Sequence, residues 1–139
     1  MEKPAPQPAA NLEALRHALL DLHKALVEAQ RARYEREHGR IETSARMLQL
    51  LLEDPEFEWL RALSALIAQL DEWMESNDPA REEEGAIMVA TLRSLVQPAG
   101  PNASFSAPYW EFVEAVPDVL VAHVKLRRLL GSEGKDRKA

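Results

Sequence analysis

The sequence contains no cysteine, and this absence removes several kinds of chemistry at once. A disulfide framework, a thiolate nucleophile, a cysteine-ligated zinc and an iron–sulfur cluster all need cysteine side chains. Long apolar runs are missing too: none approaches the roughly 20 residues that span a bilayer. The stretch after Met1 lacks the apolar segment of a secretory signal. We therefore expect a cytoplasmic protein without a membrane span.

Basic residues are in deficit, with 17 Lys and Arg against 23 Asp and Glu, for a net charge of −6. Phosphate binding needs clustered cations, so this balance argues against a nucleic-acid partner. The acids are concentrated in residues 53–84, which hold eleven acids and only two arginines. We expect this segment to face solvent or to pair with the arginines of the first helix.

Only five glycines occur in the 139 residues, and most prolines after residue 10 lie between periodic segments, as is typical of helical proteins. Residues 1–10 hold three prolines and predict a disordered arm. Asn11 resembles an N-cap, and a stripe at spacings of three and four follows it. The stripe comprises Leu12, Leu15, Leu19, Leu22, Leu26, Gln30, Tyr34, His38, Ile41, Ala45, Leu48 and Leu52. This pattern favours one helix over about 12–52, bent near Gly39; the alternative is a break at Gly39, with the chain folding back.

Proline positions predict where the remaining helices begin. Asp54-Pro55 and Asp78-Pro79 each combine a capping aspartate with a proline suited to the first helical position. They predict helices over about 55–75 and 79–97, followed by a loop over 98–107. Pro108 would open a fourth helix, which Pro117 should kink or split and Gly131 should close.

These elements predict an all-α fold, namely an antiparallel four-helix bundle with a long first helix and a kinked fourth helix. The domain would cover residues 11–131, with a flexible charged tail over 132–139. Helices two to four are too short to cover the first helix, so part of its apolar stripe should stay exposed. This excess predicts a homodimer formed through the first helix, and a further protein partner is compatible with it.

Two histidines, His38 and His123, lie on apolar stripes. Glu35 precedes His38 at the Glu-x-x-His spacing, but di-iron bundles need two such motifs and two further glutamates. We therefore expect no metal or other cofactor, and we interpret both histidines as buried core residues, hydrogen-bonded to each other or to Tyr34. The exposed helix face that carries His17 and His23 predicts surface positions for both.

Half of the aromatic side chains lie in one short stretch, comprising Phe105, Tyr109, Trp110 and Phe112. They could line a pocket, or they could plug the open end of a bundle, which we favour because aromatics at helical spacing usually belong to the core. The pocket alternative predicts a small-molecule-binding protein or enzyme in which His38 and His123 approach one another. Its candidate ligand-binding residues are Tyr34, His38, Tyr109, Trp110 and His123.

No complete catalytic set is present, so we lean away from an enzyme. Ser64 has no base at a fixed spacing, and Arg61 and Asp71 fit a boundary face that pairs with the first helix. The stretch Asp54-Pro-Glu-Phe-Glu-Trp-Leu-Arg-Ala-Leu-Ser64 resembles one found in a family of small bacterial helical proteins, with Ala62 replacing the family's proline. The resemblance covers about residues 12–75 and implies a bacterial origin, but no activity and no catalytic residues. We expect an interaction or structural module.

Overall fold

The computed structural model describes residues 8–76, 79–98 and 102–138, and it confirms the all-α prediction for these ranges, in which no strand occurs. A single 3₁₀ segment, Pro55–Leu60, joins α2 to α3. The six α-helices are α1 (Pro8–His38), α2 (Ser44–Glu53), α3 (Arg61–Met74), α4 (Arg81–Leu95), α5 (Ala103–Ala115) and α6 (Pro117–Lys138). Residues 1–7 of the predicted arm lie outside the described ranges, as does Asp78.

The first helix breaks at Gly39, so the prediction of one helix over 12–52 is wrong and the alternative of a break is confirmed. Gly39 has φ +95°, in the left-handed region that glycine adopts without a side-chain clash. Its N–H bonds to the Glu35 carbonyl at 3.0 Å and closes the last turn of α1. Thr43 then caps α2 by accepting the N–H of Arg46 at 3.0 Å. α2 packs mainly on the 3₁₀ segment rather than back along α1.

The signals at Asp54-Pro55 and at Pro117 act as expected. The Asp54 carboxylate accepts the N–H of Glu56 at 2.8 Å, and Pro55 occupies the first turn. Pro117 splits the predicted fourth helix into α5 and α6. Val116 is extended, at φ −118° and ψ 112°, because a following proline disfavours the helical conformation of the residue before it.

Three predicted helix ends are corrected. Asn11 lies inside α1, which begins at Pro8. α5 begins at Ala103 rather than at Pro108, because the Asn102 side chain already supplies a cap by accepting the N–H of Phe105 at 3.3 Å. α6 continues past Gly131 to Lys138.

The core forms where α1 packs against α6 and, less extensively, against α3. The predicted α1 stripe is buried there from Leu12 to Leu26, and Leu22 and Leu26 have no exposed surface at all. α6 contributes Val119, Leu126 and Leu130, all nearly or fully buried. Burial of each such leucine contributes about 1.5–3 kcal/mol, which makes this seam the main source of stability. Among the described helices, none combines the length and the apolar content that a membrane span requires.

Candidate functional site

The five predicted ligand-binding residues lie in two groups. Tyr34 and His38 lie near the C-terminal end of α1, with their ring centroids 4.3 Å apart. Tyr109 and Trp110 on α5 contact His123 on α6. The contacts found for His38 and His123 involve different neighbours, so the expected approach of these two histidines finds no support in the described part of the chain.

Tyr109 and His123 form a buried polar pair. The Tyr109 hydroxyl and His123 Nδ1 are 2.5 Å apart, and both residues are at least 94% buried. Burial raises the pKa of Tyr109 well above its usual range, because a buried phenolate would be poorly solvated. Burial also lowers the pKa of His123, and the positive charge of Arg127 lowers it further. A tyrosine that donates to Nδ1 of a neutral imidazole gives both buried groups a hydrogen-bond partner, which confirms a hydrogen-bonded core role for His123, although its partner is Tyr109.

The aromatic stretch packs on itself. Phe105 stacks on Tyr109 with centroids 5.1 Å apart, and Trp59 from the 3₁₀ segment contacts Phe105 and Phe112 at 5.5 and 5.9 Å. Phe105 and Tyr109 are fully buried. The indole N–H of Trp110 is also buried, and it has no acceptor among the described residues. These contacts support the plug interpretation over the pocket.

Surface clefts instead lie along α3 and α4. One, of about 590 Å³, is lined mainly by small or apolar side chains, including Ala62, Ala65 and Ala90. A second, of about 370 Å³, is lined by Trp73, Glu84 and polar neighbours. Neither cleft includes a residue of the predicted ligand-binding set.

His38 is exposed rather than buried, which corrects the core interpretation of this residue. Its Nε2 is 2.7 Å from Glu56 Oε2, on the 3₁₀ segment, and 3.8 Å from Glu37 Oε1. Ligand atoms of the three side chains all lie within 4.8 Å of one another. Glu35, the partner suggested by sequence spacing, instead accepts the N–H of Ile41 at 2.9 Å. That hydrogen bond, more than the nearby charge of Arg31, lowers the pKa of Glu35.

Spacing within one helix could not have found Glu56, because it lies 18 residues after His38 and beyond the chain break at Gly39. Asp54-Pro55 was the available signal, since it fixes the start of the 3₁₀ segment that carries Glu56. The direction in which the chain returns after Gly39 decides the contact, and no local pattern specifies that direction.

A polar seam joins α1 to the following helices at intervals of seven residues along α1. Arg16 forms a hydrogen-bonded ion pair with Asp71, His23 Nε2 is 2.8 Å from Ser64 Oγ, and the indole N–H of Trp59 donates to Gln30 at 2.9 Å. These contacts confirm the pairing of Asp71 with the first helix. They also correct the prediction that His23 is simply a surface residue, because His23 is half-buried against α3, and this burial lowers the pKa of its imidazole.

The contact between His23 and Ser64 does not make Ser64 a nucleophile. The Ser64 hydroxyl also lies 3.3 Å from the Leu60 carbonyl, and when it donates to that carbonyl it can only accept a hydrogen from His23. A histidine that donates to the hydroxyl cannot act as its base in the same arrangement. The pair therefore belongs to the packing of α1 on α3.

No family model matches this chain. No curated protein and no solved structure matches it either. The resemblance to bacterial helical proteins therefore stays a prediction, and function must be argued from the geometry.

Large apolar side chains remain exposed on two helices in particular. On α2, Leu48 is 57% and Leu52 63% exposed, and Ala45 lies on the same side. On α6, Leu120, Val121 and Val124 face away from the core, with Val121 64% exposed. Single exposed apolar residues are ordinary, but a run on one helix face indicates a contact surface.

Proposed function

We propose that the protein is a cytoplasmic helical interaction module that self-associates through α2. The observation that carries the proposal is the exposure of Leu48 and Leu52 on one side of this helix. A second copy of the chain that covered both leucines would remove their surface from water, which is the main driving force of association.

The proposal keeps the predicted role of the first helix and restricts it to the part that the fold leaves uncovered. Leu12 to Leu26 are buried within the chain by α6 and α3, so this part of the stripe cannot bind a second copy without unfolding. Leu48 and Leu52 continue the same sequence stripe beyond the break at Gly39. They are held outward because Leu50, on the opposite side of α2, is 98% buried.

The spacing of the leucines on α2 is compatible with an identical partner. Leu48 and Leu52 lie four residues apart and therefore on one side of the helix, with the exposed Ala45 beside them. If two copies of α2 pack antiparallel, each Leu48 lies near the other copy's Leu52. The surface is therefore self-complementary, as a twofold interface requires.

Three substitutions at matched exposure test the proposal. Leu52, Val121 and Ile87 are 63%, 64% and 64% exposed and lie on α2, α6 and α4. Glutamate at any of them removes similar apolar surface, but only L52E changes the proposed interface. Sedimentation velocity over a range of micromolar concentrations should show a dimer for the unmodified chain, V121E and I87E, and a monomer for L52E.

The possible outcomes distinguish self-association itself from the assignment of the interface to α2. A monomer at all concentrations for the unmodified chain would refute self-association. Loss of the dimer in V121E, with L52E unaffected, would place the interface on the outer face of α6 and refute the assignment to α2.

The small-molecule alternative has weaker support. It required Tyr34, His38 and His123 to share a pocket with the Phe105–Phe112 aromatics, whereas the described contacts place these residues in two groups. The buried indole N–H of Trp110 is the one feature that still favours it. Self-association has the larger set of supporting residues, so we place it first.

A further inference from the structure

We propose that Glu37, His38 and Glu56 form a binding site for a divalent transition-metal ion, with Zn²⁺ as the best-fitting ion. The site lies where the end of α1 meets the 3₁₀ segment. It is independent of the α2 surface, and it differs from the di-iron motif considered in the sequence because it does not use Glu35.

The distances suit one small ion. His38 Nε2 is 2.7 Å from Glu56 Oε2 and 3.8 Å from Glu37 Oε1, and all three ligand atoms lie within 4.8 Å of one another. Zinc binds nitrogen and oxygen at about 2.0–2.2 Å, so ligands on a tetrahedral ion are separated by roughly 3.3–3.6 Å. The two measured separations lie on either side of this value, and small side-chain rotations would bring them to it.

Local structure at the end of α1 and at the start of the 3₁₀ segment holds the three side chains near one another. Gly39 ends α1 immediately after Glu37 and His38, and the Tyr34 ring packs against the His38 ring at 4.3 Å. On the other side, the cap between Asp54 and the Glu56 N–H holds the first turn of the 3₁₀ segment. A metal ion bound here would meet ligands that are already close together.

Exposure and ligand chemistry select the class of ion. The side chains of Glu37, His38 and Glu56 are 59%, 45% and 35% exposed, so an ion can enter from water and keep a solvent ligand at the fourth position. One imidazole with two carboxylates favours zinc and its transition-metal neighbours over calcium and magnesium, which prefer oxygen ligands alone. Two carboxylates also neutralise the charge of a divalent ion.

The competing explanation is a simple ion pair between His38 and Glu56, and the chain contains a control for it. His17 and Glu13 form another exposed pair, with His17 Nε2 3.9 Å from Glu13 Oε2, but no third metal-ligating side chain was found beside them among the described residues. If a nearby histidine and glutamate were sufficient for binding, both places would take up zinc alike.

Calorimetric titration of ZnCl₂ into the full chain, previously dialysed against a chelator, tests the site. We expect one ion per chain, a loss of affinity of at least about tenfold in H38A, and little change in H17A. E56Q should also weaken binding, because the amide keeps the shape of the side chain but loses its charge. Circular dichroism establishes that each variant is folded before titration.

Absence of zinc binding to the unmodified chain, or equal binding by H38A, would overturn the proposal. Equal losses in H38A and H17A would do so as well, since they would indicate binding at scattered surface pairs. Thermal unfolding gives a second readout: zinc should raise the midpoint of the unmodified chain and H17A, because an ion that binds only the folded state stabilises it. The same rise in H38A would contradict the site.

Discussion

Replacing Gly85 with alanine tests how tightly α3 and α4 pack. Gly85 is buried on α4, and a Cβ atom built on it would lie 2.6 Å from Cζ2 of Trp73 and 3.1 Å from its Cε2. Trp73 is 95% buried, so its indole has little room to withdraw. The close approach of α3 to Gly85 is therefore a contact with one aromatic ring.

Two opposing effects decide the magnitude. Overpacking of a well-packed interior costs about 1–3 kcal/mol. Alanine is better than glycine inside a helix by about 1 kcal/mol. We expect G85A to lower the free energy of unfolding by roughly 0–2 kcal/mol. G131A serves as the matched control, because a Cβ at Gly131 meets nothing within 4 Å and α6 continues through this residue.

Urea denaturation followed by circular dichroism measures both variants. G131A should gain up to about 1 kcal/mol, so the two variants should differ by about 1–3 kcal/mol. A G85A variant as stable as G131A would refute the packing argument. The double variant W73L/G85A adds a direct test: removal of the ring removes the clash, so its stability should exceed the sum of the separate effects. Additive effects would show that the indole is not what excludes a side chain at Gly85.

Three further predictions concern stability. The pKa values of His23 and His123 are lowered in the folded state, so the unfolded chain binds more protons at a pH between these lowered values and about 6.5. The contribution of both histidines to the free energy of unfolding should therefore be complete above about pH 6.5 and fall as the pH is lowered. Urea midpoints measured across this pH range should fall less steeply for H123Q than for the unmodified chain. L126A removes a fully buried side chain between α6 and α1 and should cost about 2–5 kcal/mol in urea denaturation; a smaller loss would contradict this burial. G39A forces alanine to φ +95° and should cost roughly 1–2 kcal/mol, and a neutral result would indicate that the break can form without the left-handed conformation.

Local chemistry explains the features that the sequence predicts well. The stripe of α1 is visible because helical period and burial coincide over four turns, and Leu15, Leu19 and Leu22 are all buried as predicted. Pro117 divides α5 from α6 because the ring restricts the residue before it, wherever the rest of the chain lies. Asp54 caps the 3₁₀ segment through a local contact, because its carboxylate accepts the N–H of Glu56, two residues later. None of these requires knowledge of the tertiary structure.

The candidate metal site was missed because it depends on contacts across the chain. His38 continues an apolar stripe, which suggests burial, but the helix ends before Gly39 and leaves the ring in solvent beside Glu56. A single glycine does not reveal whether a helix bends or ends, since it costs only about 1 kcal/mol in a continuous helix. Thr43, four residues later, was the signal for a new start: it caps α2 and makes a break more favourable than a bend.

The polar seam of α1 consists of residues whose contacts serve the fold, so it is not a candidate functional site. Arg16, His23 and Gln30 recur every seven residues, and each meets a partner on α3 or the 3₁₀ segment. Sliding α1 by one turn would separate all three pairs, leaving the partly buried His23 without its hydrogen bond to Ser64. Polar contacts within an apolar interface fix register in this way, so these residues are explained by the fold.

The Tyr109–His123 pair is also explained by the fold, because each group is the hydrogen-bond partner of the other. Two features that the fold does not require, the exposed leucines of α2 and the Glu37–His38–Glu56 cluster, lie on either side of the break at Gly39. The region around that break is therefore where substitutions should alter function without unfolding the protein.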